Sequence, residues 1–354
     1  MVYYRDTRKE LEKLVKKIFI FVLVMFLCVT SFAGGNKKKI SLEKWQGQPL
    51  TVVCPWAING VVDIINRSLA VYGEETFGQQ IIATNDFIRE GAISISDDFL
   101  LTMSSMLGDG GNTALTNYLK TKANTPHLII GSENAFAVTP NMRNVKAQTF
   151  SYNDFEPIIN LCSATFVMTA ASELNITDLE SLKAYGEGKN LLVAVGGSTS
   201  IESFMVRSLF KELGLDMTVV AYNGANLALE ALINKEVHLA ISHQSQAKIG
   251  IEDGIITPIV LFDEKGSTEG VFAGTKGIGE YGYTTYCKNR SFLMARKGTD
   301  ADILQKIYEG YKRILEKDEV KTLFKEMMLE IEPLTAEEID RHIATVSAMV
   351  KTNM

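Results

Sequence analysis

Cysteine, histidine and tryptophan are scarce in this chain, at four, four and two residues of 354. None of the cysteines forms a C-x-x-C pair or stands at a Cys/His spacing suited to zinc, which excludes a disulfide framework and a zinc module. Cys28 lies in a segment expected to be removed. Cys54, Cys162 and Cys287 have mostly apolar or aromatic sequence neighbours and are expected to be buried, inert thiols. The four histidines, His127, His238, His243 and His342, are scattered, so no metal site is expected. No cofactor is expected either. A dinucleotide fingerprint needs G-x-G-x-x-G, and neither Gly108 to Gly111 nor Gly196-Gly197 supplies it. A phosphate-binding G-K-[ST] turn and the G-x-S-x-G of a nucleophile elbow are also missing. No repeat or low-complexity tract occurs.

The N-terminus carries a signal. Arg5, Arg8, Lys9, Lys13, Lys16 and Lys17 precede the apolar run IFIFVLVMFL, which is shorter than the roughly 18 residues of a membrane span and leads to the small residues Ser31 and Ala33. We read residues 1–33 as a cleavable export signal and 34–48 as a flexible leader. The segment 1–33 holds six Lys/Arg against three Asp/Glu, a net of +3, so its removal takes the formal charge from −6 to −9. An acidic mature surface argues against nucleic acid as a partner.

From Pro49 onward, short apolar runs alternate with helical patterns, which implies an α/β protein with mainly parallel sheets flanked by helices and ligands at the carboxyl ends of strands. Two turns stand out. In CPWAINGVVD a strand ends and a helix begins near Asn59-Gly60, with Ile64, Ile65, Leu69 and Tyr72 on one face. In VAVGGSTSIESF the pair Gly196-Gly197 allows a tight turn, Thr199 and Glu202 read as a T-x-x-E capping box, and Ser198, Thr199 and Ser200 offer hydroxyl donors. Both turns open a helix whose first N–H groups favour an anion.

The order and spacing of Pro55-Trp56-Ala57, Gly60 and Asp63, then VVAYNGANLALEALINKEVHLAIS and GTKGIGEYG, resemble the tripartite tricarboxylate transporter substrate-binding family, the TctC-like or Bug extracytoplasmic solute receptors. The resemblance covers residues 48–345. It departs at Val61, where a second Gly is usual, at Ala221 for Pro, at His238 for Asp, and in DFIREGAISIS, which lacks the usual Gly-rich turn.

The resemblance implies a type II periplasmic binding protein, a two-lobed Venus-flytrap. One lobe would comprise 49–156 and 261–354, and the other 157–260. A carboxylate would be clamped between the two turns, with Trp56 as a wall, Asn59, Gly60 and Val61 presenting N–H groups, and Asp63 ordering the helix start or meeting a ligand amine or hydroxyl. Ser132, Gly196, Gly197, Ser198, Thr199, Ser200, Tyr222, Asn223, Gly224 and His243 would complete the site. The protein would be an exported, monomeric receptor without catalytic residues that serves a multi-span membrane permease. A hydrolase using Ser198 or Ser132 is the alternative. The ligand stays open among mono-, di- and tricarboxylates, amino acids and aromatic acids.

Overall fold

The computed structural model describes residues 39–45, 47–56, 61–85, 111–142 and 148–354. The export signal, Asn59, Gly60 and the DFIREGAISIS stretch lie outside the described residues. Among the described residues no helix is long and apolar enough to cross a membrane.

Eleven strands are described: β1 Leu50–Val53, β2 Ile81–Thr84, β3 His127–Ser132, β4 Phe155–Ala164, β5 Phe166–Ala171, β6 Asn190–Val195, β7 Asp216–Ala221, β8 Leu239–His243, β9 Ile256–Leu261, β10 Asn289–Arg296 and β11 Leu329–Glu330. They form two sheets, in the orders β11-β4-β10-β3-β1-β2 and β7-β6-β8-β5-β9. Strands β2, β1 and β3 run parallel, as do β7, β6 and β8. These are the strands that alternate with helical patterns in the sequence. The pairings of β10 with β3 and β4, and of β5 with β8 and β9, are antiparallel, so both sheets are mixed.

The chain leaves the first sheet at Ala164 and enters the second at Phe166, with Thr165 alone between. Residues 157–164, assigned from sequence to the second lobe, therefore belong to β4 of the first sheet. The long apolar run that contains them is two strands joined by one residue, and composition does not mark the junction. The return passage lies between β9 and β10. There Lys288 Nζ meets Asp263 at 2.9 Å and Glu330 at 2.7 Å, and the Thr165 hydroxyl donates to Asp263 at 3.2 Å. The two passages are thus tied to each other.

The helices follow the amphipathic patterns. Helix α1 (Val61–Ala70) buries Ile65 and Leu69. It also buries Asn66, whose amide donates to the Val52 carbonyl of β1 at 2.9 Å. After α2 (Gly73–Phe77) and α3 (Asn112–Tyr118), helix α4 (Leu179–Gly186) is capped by Asp178, and α5 (Ile201–Leu213) ends on the left-handed Gly214. Helices α6 (Ala225–Ile233) and α7 (Gln244–Glu252) cover the second sheet, and α8 (Ala301–Leu315), α9 (Asp318–Glu326) and α10 (Ala336–Asn353) make up the charged C-terminal region. One apolar core runs through both sheets, joining Phe136 and Phe155 to Phe166 and Phe204.

Part of the expected flexible leader is folded. Trp45 sits in a short 3-10 turn, 2% exposed, and its indole N–H donates to the Asn124 carbonyl at 2.8 Å. An aromatic with its polar atom satisfied behaves as core, whatever the glycine and lysine content just before it.

Candidate functional site

The carboxyl ends of the parallel strands supply the loops that matter. On the first sheet these follow β1 and β3, and on the second they follow β6, β7 and β8. They meet where the Thr139 hydroxyl, beyond β3, donates to the Thr199 carbonyl, beyond β6, at 3.0 Å. His243, at the end of β8, faces Asn289 at 3.4 Å, in a second contact between the sheets.

Trp56, past the end of β1, is held by side chains from α1 and from Asn85, just past β2. Asp63 is fully buried, and Arg67 donates to both of its carboxylate oxygens, at 3.0 and 2.9 Å. Arg67 also donates to Asn85 at 2.7 Å, and the Asn85 amide donates to the Trp56 carbonyl at 2.9 Å. Asp63 is thus bound one turn along its own helix, to Arg67. Trp56 stands against Gly111, which has φ +89, and a Cβ there would lie 3.2 Å from Pro55 and 3.7 Å from the indole. Glycine at 111 lets α3 begin against the Trp56 face. Val61 opens α1 half-buried.

Ser132 ends β3, 5% exposed, and its hydroxyl accepts from the Ala135 N–H at 3.2 Å. The next residue, Glu133, is fully buried, accepts from Arg290 at 3.3 Å and lies 2.9 Å from His342 Nε2, which is itself 3.1 Å from Arg290. Arg290 in turn reaches Glu332 at 3.1 Å. Burial opposes the charge of Arg290, yet the two carboxylates hold its pKa above the ordinary range.

The loop after β6 packs backbone to backbone on the start of α6. A Cβ on Gly196 would stand 2.8 Å from the Ala225 nitrogen, and Gly224 N–H donates to the Gly196 carbonyl at 3.1 Å. The capping differs from expectation by one residue. Ser200, not Thr199, is the N-cap of α5, accepting from Ser203 N–H at 3.3 Å and donating to the Gly197 carbonyl at 2.9 Å. Glu202 consequently falls at the second position of the helix, buried beside the Ser200 cap. It is 8% exposed, and its carboxyl oxygen would stand 3.2 Å from a Gly196 Cβ. Burial raises its pKa, opposed by the Ser200 hydroxyl and its own N–H.

Ser198 is exposed and Thr199 half-buried. Asn223 is exposed, while Tyr222 packs on the apolar cluster beneath α6. His243 keeps part of its surface open, but its ring sits 4.4 Å from that of Phe166 and desolvation pushes its pKa down to about 4. It is neutral at physiological pH. Cys54 and Cys162 are free, buried thiols whose pKa values burial pushes up to about 12. Cys287 is free and buried as well. A surface depression of about 500 Å³ lies elsewhere, between Gly186–Gly188 and Gly214–Asp216, at the amino ends of β6 and β7.

Sequence reasoning missed Glu133, Thr139, Arg290 and His342. An acid directly behind a buried strand, in HLIIGSE, is the local signal that was available for Glu133. The other three are brought in by contacts distant in sequence.

The profile of the tripartite tricarboxylate transporter family receptor matches residues 108–352. Protein BugT of Bordetella pertussis is 21% identical over 286 residues, covering 77% of each chain. Two solved structures share the fold. Rpa4515 of Rhodopseudomonas palustris, solved with adipate, has a TM-score of 0.72 at 20% identity, covering 87% of this chain and 96% of its own. MatC of Rhodopseudomonas palustris, solved with malate, has a TM-score of 0.68 at 20% identity, covering 86% and 98%.

Proposed function

Because the chain belongs to the tripartite tricarboxylate transporter receptor family, we propose that it is an exported solute-binding protein that captures a small carboxylate between its two lobes and delivers it to a membrane permease. The observation that carries this reading is the meeting of the post-β3 and post-β6 loops at Thr139 and Thr199, where two sheets direct the ends of their parallel strands at one another. Ligands of open α/β sheets bind at such ends. The adipate and malate held by two proteins of the same fold support a carboxylate as the ligand class.

Neutral donors are at hand. Ser198 is exposed, and the Gly196-Gly197 turn brings backbone close to any group lodged above it. With no lysine or arginine in that loop, the carboxylate is bound by hydrogen bonds and released without breaking an ion pair. Trp56 and the start of α1 serve as the opposing side, and the receptor works as a monomer.

Binding is favoured over hydrolysis. The Ser132 hydroxyl accepts from Ala135, while His238 accepts from Leu192 N–H, His342 bonds Glu133 and His243 faces Asn289. Calorimetry of the purified protein against a panel of carboxylates, followed by mass analysis of the recovered ligand, tests the reading. Saturable binding with the compound recovered unchanged is expected. Chemical turnover, or failure to bind any carboxylate, would overturn it.

A further inference from the structure

We propose that Thr139 is a positioning residue for ligand capture: its hydroxyl latches the loop after β3 to the Thr199 carbonyl, in the loop that would receive the carboxylate, and so biases the two lobes toward closure. The inference rests on the proposed function and adds to it what holds the lobes together.

Threonine hydroxyls in helical segments ordinarily bond back to a carbonyl of the preceding turn. In this chain Thr116 donates to the Asn112 carbonyl at 2.8 Å, Thr345 to Arg341 at 2.9 Å and Thr352 to Ala348 at 3.0 Å, each four residues back. Thr139 follows the π-helical turn Asn134–Val138 and opens a 3-10 turn, yet its hydroxyl does not fold back. The carbonyl four residues behind it, that of Ala135, accepts from the Gln148 amide at 3.2 Å. The Thr139 hydroxyl instead crosses 60 positions of sequence to the Thr199 carbonyl at 3.0 Å, and the residue is 5% exposed.

Both ends of this bond are held in place. The π-helical turn is fixed by Asn141, whose amide donates to the Ala137 carbonyl at 2.7 Å, and by α10, whose Ile339 and Ile343 share the apolar core with Phe136 and Ala137. On the other side, the bonds of α5 begin one residue past Thr199, with Phe204 N–H on the Ser200 carbonyl at 3.0 Å, so the Thr199 carbonyl stands just outside the helix ladder. Ser200 and Gly196 fasten that loop through their bonds to Gly197 and Gly224. Neither loop can follow the other by a local adjustment, so a turn of one lobe that separates them must break the bond. Its worth therefore weights the closed arrangement over the open one.

Thr139→Val removes the donor at nearly constant shape, and Thr139→Ser keeps it. On the purified, ligand-free protein the valine variant should shift the lobes toward the open arrangement about three- to tenfold, the worth of one neutral hydrogen bond. Hydrogen exchange in peptides covering residues 134–142 and 196–204 should quicken by that factor, and small-angle scattering should give a larger radius of gyration than wild type. The serine variant should match wild type in both. A valine variant that loses stability in urea but keeps both its exchange and its radius of gyration would overturn the inference and mark the bond as ordinary packing. A serine variant as open as the valine one would overturn it too, because the hydroxyl would then not be the cause. Neither measurement needs a ligand, so the latch is decided even where no carboxylate binds and the receptor reading falls.

Discussion

Gly196 and Gly197 are interchangeable in the sequence and opposite in the structure, so alanine at each gives a paired test. A methyl on Gly196 would stand 2.8 Å from the Ala225 nitrogen and 3.2 Å from its Cα, both backbone atoms that cannot rotate away. Relief requires the end of β6 and the start of α6 to part. That parting strains the Gly224 N–H to Gly196 carbonyl bond at 3.1 Å and the neighbouring Tyr222 N–H to Val195 carbonyl bond at 2.9 Å. Overpacking costs about 1–3 kcal/mol and a weakened hydrogen bond about 1 more, so Gly196→Ala should lose about 2–4 kcal/mol. A methyl on Gly197 meets the Ser200 Cβ at 3.6 Å, an ordinary contact, and the backbone there is outside the left-handed region. Gly197→Ala should therefore be neutral, or stabilising by up to about 1 kcal/mol through a less free unfolded chain. Urea unfolding at constant m-value measures both. Equal losses at the two positions would refute the packing argument.

The capping register is tested in the same way: Ser200→Ala should cost about 1 kcal/mol in urea unfolding and Thr199→Ala only a few tenths, and the reverse order would restore the Thr199 cap. His243 gives a pH dependence. With its folded pKa lowered to about 4, the unfolded chain takes up this proton first as pH falls. Its contribution is constant above the ordinary histidine range and is lost progressively toward pH 4, by up to roughly 3 kcal/mol. The difference in unfolding free energy between wild type and His243→Gln, followed over that range, should show this loss. A difference that does not change with pH would contradict it.

What the sequence revealed was local. The strand, turn and helix around Trp56 and Asp63, the helix from Ile201 and the helix from Ala225 each announce themselves by apolar periodicity and turn residues within about fifteen positions. The Glu133 cluster does not, because Arg290 and His342 arrive from 157 and 209 residues away and no local pattern encodes them. Cap placement failed for a subtler reason. Ser198-Thr199-Ser200 offers three capping side chains in a row, and only the Ser200 bonds to Gly197 and Ser203 decide among them. The join at Thr165 was hidden because β4 and β5 are both buried along nearly their whole length, so apolar character continues unbroken through it. Antiparallel β10 was missed because it follows a long irregular stretch instead of a helix.

The single residue between β4 and β5 also sets the kinematics of the molecule. One extended residue spans roughly 3.5 Å, so at Thr165 the two sheets cannot slide apart. The return passage is fastened beside it, through Thr165 to Asp263 at 3.2 Å and Lys288 to Asp263 at 2.9 Å. These neighbouring passages define a line about which one sheet would turn against the other, resisted by the shared apolar core and the Thr139 to Thr199 contact. A side chain at either passage would act on such a turn as a torsion spring does, from a distance and without touching whatever lies between the sheets.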